Sequence, residues 1–116
     1  MIPISQPFIE KKDFIYIKKV LESKILTDGF FQNKFENFIK KKLNSNFIAL
    51  THSCTAALEI SAILINLKQG DGVIMPSYGF VSVANAIVLR GATPIFAEVD
   101  PKSLNISTED IKKKNI

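Results

Sequence analysis

Several structural classes are closed to this chain by what it lacks. It has one cysteine, Cys54, and one histidine, His52, in 116 residues. A lone thiol cannot close an intrachain disulfide, and one thiol with one imidazole cannot complete a four-ligand zinc site, so disulfide scaffolds and zinc ribbons are excluded. Arg90 is the single arginine. The positive charge is therefore almost wholly lysine, which suits a solvated helix face better than bidentate readout of phosphates or base edges, and nucleic acid is not an expected partner. No apolar run approaches the ~18 residues of a membrane span. The start, Met1-Ile2-Pro3-Ile4-Ser5, lacks the charged region and apolar core of a signal peptide. The expected location is the cytoplasm, with no membrane partner. Neither a GxGxxG nor a Walker glycine pattern occurs, which removes support from dinucleotide and nucleoside-triphosphate sites.

What is present has the balance of one small globular domain, 47% hydrophobic and 22% charged. Nine Phe and many Ile and Leu supply a core, although a domain of this size buries only about two-thirds of its unfolded surface. The net charge of +4 is uneven: residues 1–46 hold nine Lys against five acids, whereas residues 47–116 hold five Lys and Arg90 against six acids.

That division matches a change in periodicity. From Glu10 to Glu22, Phe14, Ile17, Val20 and Leu21 recur at helical spacing with Lys11, Lys12, Lys18 and Lys19 mostly off the stripe. After a break at Thr27-Asp28-Gly29, the residues Phe31, Phe35, Phe38, Ile39 and Leu43 repeat the pattern and end in Lys40-Lys41-Lys42 and Asn44. Residues 1–46 thus read as a helical segment whose aromatic stripe faces a core.

Residues 47–116 read as a βαβαβ core with a final helix. Phe47-Ile48-Ala49-Leu50 is a short run without alternation, as in a strand covered on both faces. Ser53 is placed to cap a helix running to about Leu67. Val73-Ile74-Met75 reads as a second strand, Phe80 to Leu89 as a helix closing on Gly91, and Pro94 to Val99 as a third strand. Ser107 with Asp110 three residues on resembles a capping box opening a helix through Lys114. Strands alternating with helices over so short a span require parallel crossovers, so the fold class is α/β.

In a parallel sheet, ligands collect at the carboxyl ends of the strands, where helix N-termini direct free N–H groups into the crevice. Two loops qualify. In Thr51-His52-Ser53-Cys54-Thr55, small and hydroxyl residues sit where a helix dipole and backbone donors can hold a phosphate, although an ordinary capped helix explains them equally. In Pro76-Ser77-Tyr78-Gly79-Phe80 an aromatic begins the next helix, either covering a planar ring or packing on the sheet. His52 has no recognisable nucleophile partner, and Glu98 with Asp100 forms only a weak carboxylate pair.

The order and spacing of these segments resemble the N-terminal part of the DegT-type sugar aminotransferases. The resemblance runs from Ile2-Pro3-Ile4-Ser5-Gln6-Pro7 through Leu26-Thr27-Asp28-Gly29, Ser53-Cys54-Thr55-Ala56-Ala57-Leu58 and Gln69-Gly70-Asp71-Gly72-Val73-Ile74-Met75-Pro76-Ser77. It continues through Phe80-Val81-Ser82-Val83-Ala84-Asn85-Ala86, Leu89-Arg90-Gly91-Ala92, Asp100-Pro101 and Leu104-Asn105-Ile106. The cysteine form Ser53-Cys54-Thr55, with Phe80-Val81-Ser82 and Leu89-Arg90-Gly91, is most similar to the TDP-4-oxo-6-deoxyglucose transaminases that make TDP-4-amino-4,6-dideoxygalactose for surface polysaccharide.

The resemblance implies part of the large domain of a fold type I transferase that uses pyridoxal 5'-phosphate. It implies that Ser53, Cys54 and Thr55 hold the cofactor phosphate, that Phe80 stacks on the pyridine ring, and that Thr27, Asp28 and Gly29 lie near the sugar site. The implied reaction moves an amino group, typically from glutamate, to a keto sugar carried on a nucleotide, in an enzyme that is a homodimer when complete. In the family the Schiff-base lysine and the aspartate facing the pyridine nitrogen lie beyond the position of Ile116, and no Ser-x-x-Lys occurs here. These residues correspond to about the first third of a usual member, so no catalytic residue is expected among them. The alternatives are a truncated, non-catalytic product and a self-sufficient flavodoxin-like phosphate-binding module.

Overall fold

The computed structural model describes residues 2–114. Met1, Asn115 and Ile116, which end the two expected segments 1–46 and 47–116, lie outside the described residues. The chain divides into two units, Met1–Leu50 and Thr51–Ile116.

In the first unit, α1 (Lys11–Ser23) opens where the Glu10 N–H donates to Asp13 Oδ2 at 2.8 Å. It closes at Lys24, whose φ of 57° turns its N–H back to the Leu21 carbonyl at 3.1 Å. Helix α2 (Phe30–Leu43) starts from Gly29 and ends in Lys40, Lys41 and Lys42, cations placed at the negative end of the helix dipole. The two helices meet edge to face at Tyr16 and Phe31, with ring centroids 5.6 Å apart.

The expected core-facing stripe is realised only in part. Phe14, Ile17, Leu21, Phe35, Phe38 and Leu43 all remain exposed, and neither helix buries a residue. Two helices cover each other on one side only, and among the described residues of this unit no further element closes over the rest. The expected strand Phe47–Leu50 is also absent. That stretch forms no ladder, and Phe47 is 89% exposed. Apolar content alone does not make a strand, because its backbone groups need a neighbour to pair with.

The second unit holds α3 (Cys54–Leu64), β1 (Gly72–Pro76), α4 (Ser82–Val88), β2 (Thr93–Ala97) and α5 (Thr108–Lys113). Strands β1 and β2 pair in parallel, from Gly72 opposite Thr93 to Pro76 opposite Ala97. This is the expected α/β class with a sheet of two strands rather than three. The core gathers Ala62, Leu67, Met75, Ile87 and Ala92, with Val73, Val83 and Ala84 packed on it. Most of α3's other apolar residues stay open, Leu64 at 79%.

Element ends depart from the periodicity for local reasons. Helix α3 stops at Leu64 instead of Leu67 because Asn66 takes a φ of 55°, and the Leu67 N–H then bonds back to the Ala62 carbonyl at 3.0 Å. Helix α4 is shorter than the Phe80–Leu89 pattern, and Gly91 at φ 77° turns the chain against Gln69. Strand β2 ends at Ala97, and Val99 instead makes an isolated antiparallel bridge with Ile106.

Candidate functional site

The second unit places two helix N-termini at one end of its sheet. Helix α4 returns the chain from the carboxyl end of β1 to the start of β2, so it runs against both strands. Helix α3 packs on α4. Its last turn is held beside the strand starts, since Arg90 Nε donates to the Leu67 carbonyl at 3.2 Å and the Thr93 N–H donates to the Asp71 carbonyl at 2.9 Å. With the helix C-termini fixed at the amino end of the strands, Ser53 to Thr55 and Phe80 to Ser82 lie toward the carboxyl end. This is where a parallel sheet collects ligands.

The first of these turns is organised by its hydroxyls. Thr51 Oγ1 donates to the Ser53 carbonyl at 2.9 Å, and Ser53 Oγ accepts the Ala56 N–H at 3.1 Å. The Ala57 N–H begins the helical ladder on the Ser53 carbonyl at 3.1 Å. Among the described residues the amides of Cys54 and Thr55 find no acceptor, and both residues are exposed. Two free N–H groups on the positive end of α3, with the Thr55 hydroxyl beside them, form a donor set for an anion.

The second turn leaves β1 through Pro76. The Ser77 N–H donates to the Ala97 carbonyl at 2.8 Å, extending the sheet contact by one residue. Tyr78, Gly79 and Phe80 follow, and the Val83 N–H bonds back to the Phe80 carbonyl at 3.2 Å. Phe80 is 76% exposed, so its ring is not spent on packing against the sheet. Free amides and an open aromatic face fit a phosphorylated planar ring such as pyridoxal phosphate, the anion on α3 and the ring against Phe80.

Thr27, Asp28 and Gly29 belong to the first unit. Asp28, at φ 51°, receives the Gln32 Nε2 donor at 3.1 Å on Oδ1 and gives its own N–H to Gln32 Oε1 at 3.2 Å. Gly29 then starts α2 and helps line a hollow of about 220 Å³ with Val20, Ile25, Leu26, Phe30 and Phe31. His52 is exposed beside the α3 turn.

The carboxylates after β2 do structural work. Asp100 Oδ1 accepts the N–H groups of Ser103 at 2.7 Å and Lys102 at 3.0 Å, and these bonds, Ser103's first, hold its pKa below the usual carboxylate value. Asp110 Oδ2 accepts the Glu98 N–H at 2.9 Å and pairs with Lys114 Nζ at 3.3 Å. The Glu98 amide is the main cause of its lowered pKa, aided by Lys114 and Lys113. The expected capping box at Ser107 is therefore half formed. Ser107 Oγ accepts the Asp110 N–H at 3.2 Å, while the Asp110 side chain is turned to Glu98. No sequence pattern marks that second link or the bond from Arg90 to Leu67, because each joins residues far apart in the chain.

Comparison with known proteins gives the site a lineage. The model of the DegT/DnrJ/EryC1/StrS aminotransferase family matches residues 7–114. GDP-perosamine synthase of Vibrio cholerae is 31% identical over 115 residues, which cover 98% of this chain and 31% of that protein. The aminotransferase TlmJ from Streptoalloteichus hindustanus superposes with a TM-score of 0.90 at 33% identity, over 98% of this chain and 32% of its own. GDP-4-keto-6-deoxy-D-mannose-3-dehydratase of Escherichia coli, solved with bound hydrated PLP, superposes with a TM-score of 0.86 at 25% identity, over 98% of this chain and 31% of its own. The chain thus spans about a third of the length of the relatives it matches. No helix among the described residues is long and apolar enough to cross a membrane. From Pro7 to Lys114 the sequence carries the pattern that defines one group of enzymes, and the chain belongs to the DegT/DnrJ/EryC1/StrS aminotransferase family.

Proposed function

We propose that this chain is the part of a sugar aminotransferase that holds the phosphate and one ring face of pyridoxal 5'-phosphate. The observation that carries the reading is the coincidence of the family match with two loops that converge on the carboxyl end of β1. The amides of Cys54 and Thr55, with the hydroxyls of Ser53 and Thr55, hold the phosphate, and Phe80 stacks on the pyridine ring. Thr27, Asp28 and Gly29 contribute on the sugar side. When bound, the cofactor supplies the electron sink through which an amino group is exchanged. The chain's own residues bind and orient it.

The substrate pair is an amino donor, glutamate, and a nucleotide-linked 4-keto-6-deoxy sugar destined for surface polysaccharide, handled in the cytoplasm by a homodimer of the whole protein. The motifs at Ser53-Cys54-Thr55, Phe80-Val81-Ser82 and Leu89-Arg90-Gly91 support a TDP-linked sugar. A GDP-linked sugar is the second reading, supported by the GDP-perosamine synthases among the relatives. Competition between TDP- and GDP-sugars for the whole protein separates the two. A self-standing phosphate-binding module is not favoured, because the family match extends over residues 7–114 and not over one loop alone.

These residues alone do not catalyse, since none of their lysines stands in a segment like the family's Schiff-base lysine. Incubation with pyridoxal phosphate, borohydride reduction and peptide mapping test this. The expected result is scattered, substoichiometric lysine labelling. One lysine labelled to completion, with turnover of a keto sugar nucleotide, would show that the chain carries its own nucleophile.

A further inference from the structure

Arg90 is the only arginine, and nothing above gives it a part in the site. Its Nε donates to the Leu67 carbonyl at 3.2 Å. Of the side-chain hydrogen bonds among the described residues, this one joins positions furthest apart in sequence; the next is the bond from Glu98 to Asp110, and every other stays within four residues. Both of its ends are anchored. The Leu67 carbonyl belongs to a buried residue whose N–H is tied to Ala62, and the Arg90 N–H bonds to the Ile87 carbonyl at 3.1 Å. The side chain is a crossbar between the C-terminal ends of α3 and α4.

Little else fixes the register of these helices. Ala62, Val83, Ala84 and Ile87 supply the apolar contact, and apolar packing is non-directional. A charge-assisted hydrogen bond specifies one point of contact. The opposite ends of the same helices carry the Ser53-Cys54-Thr55 turn and the Phe80 loop. An eleven-residue helix is about 16 Å long, so a rotation of about 5° about its C-terminus displaces its N-terminus by about 1.4 Å. An ångström is the scale on which a binding constellation is lost.

We propose that Arg90 is a positioning residue, which sets the separation between the phosphate-holding turn and the ring of Phe80 from the far ends of the helices that carry them. This rests on the cofactor reading given above. The two loops are probed separately by two ligands. Pyridoxine 5'-phosphate needs both loops and, having no aldehyde, does not condense with the many surface lysines. Inorganic phosphate needs the α3 turn alone.

Binding of each is measured by calorimetry on the protein and on R90M, which keeps the apolar stem and removes the donor, and on R90K, whose ammonium reaches the same carbonyl. Loss of one such hydrogen bond is expected to weaken pyridoxine 5'-phosphate by about tenfold in R90M. Inorganic phosphate stays within about twofold, and R90K recovers most of the loss. Equal weakening of both ligands, or no weakening of either, overturns the positioning role. Failure of the unsubstituted protein to bind pyridoxine 5'-phosphate sinks the cofactor reading itself, and this inference with it. If R90M does not fold, R90Q, which retains a shorter N–H donor, is expected to show the same split between the two ligands at about threefold.

Discussion

At Asp110 one carboxylate joins two stretches of chain, the exit of β2 at Glu98 and the last helix through Lys114. Its pKa is lowered in the folded protein, so the folded state binds its proton less readily than the unfolded chain does. The stabilisation is therefore present above the ordinary aspartate value of 3.8 and is lost as the pH falls through the lowered folded value. Asp100 acts in the same sense. In an acid titration followed by carboxylate NMR, both groups are expected to titrate below the ordinary value. D110N removes this contribution at neutral pH and flattens the acid limb of the stability curve. A second expectation concerns Phe80. With its ring exposed, F80A leaves the melting behaviour unchanged while weakening pyridoxine 5'-phosphate by about tenfold, the worth of one aromatic stack. Unchanged ligand affinity would remove Phe80 from the site. The caps at Ser53 and Ser107 were legible because a cap acts within three residues. Arg90 and the second role of Asp110 were not, since their partners are brought near only by the fold.

Helices reveal themselves by a repeat that the chain carries locally, and α1 and α2 stand close to where the spacing puts them. Their ends are set by individual residues in left-handed backbone, Lys24, Asn44 and Asn66, which apolar periodicity does not register. Gly91 is the sharpest of these ends. It combines a φ of 77° with a neighbour, Gln69 Cβ, only 3.4 Å from where a methyl group would stand. G91A is expected to cost about 1 kcal/mol in urea denaturation through backbone strain alone. A stabilised G91A protein would refute that account. Strands carry less of their definition in themselves. Phe47 to Leu50 has a strand's composition and no ladder, whereas Thr93 to Ala97, interrupted by Pro94, is a strand because β1 lies beside it. The candidate site was readable to the extent that it rests on helix starts. The openness of Phe80 was not, because residue type favours packing an aromatic against the sheet.

Taken whole, the molecule leaves much of its apolar surface uncovered, including Phe14, Phe35, Phe38, Leu64 and Leu89. Exposed apolar area on this scale favours association. The chain is expected to bind an apolar fluorescent dye in its native buffer, to sediment as concentration-dependent oligomers and to melt over a broad range. A sharp cooperative melt of a monomer would contradict this. The parallel register of the sheet adds a matter of timing. Strand β1 pairs residue 72 with residue 93, and its last residue with residue 97. A hairpin strand meets its partner as soon as a short turn has been made. Here α4 must intervene, and loop closure has to precede any reward from pairing. During synthesis, Gly72 to Pro76 therefore leaves the ribosome with no partner in its sheet, and it waits as bare backbone until translation has passed Ala97.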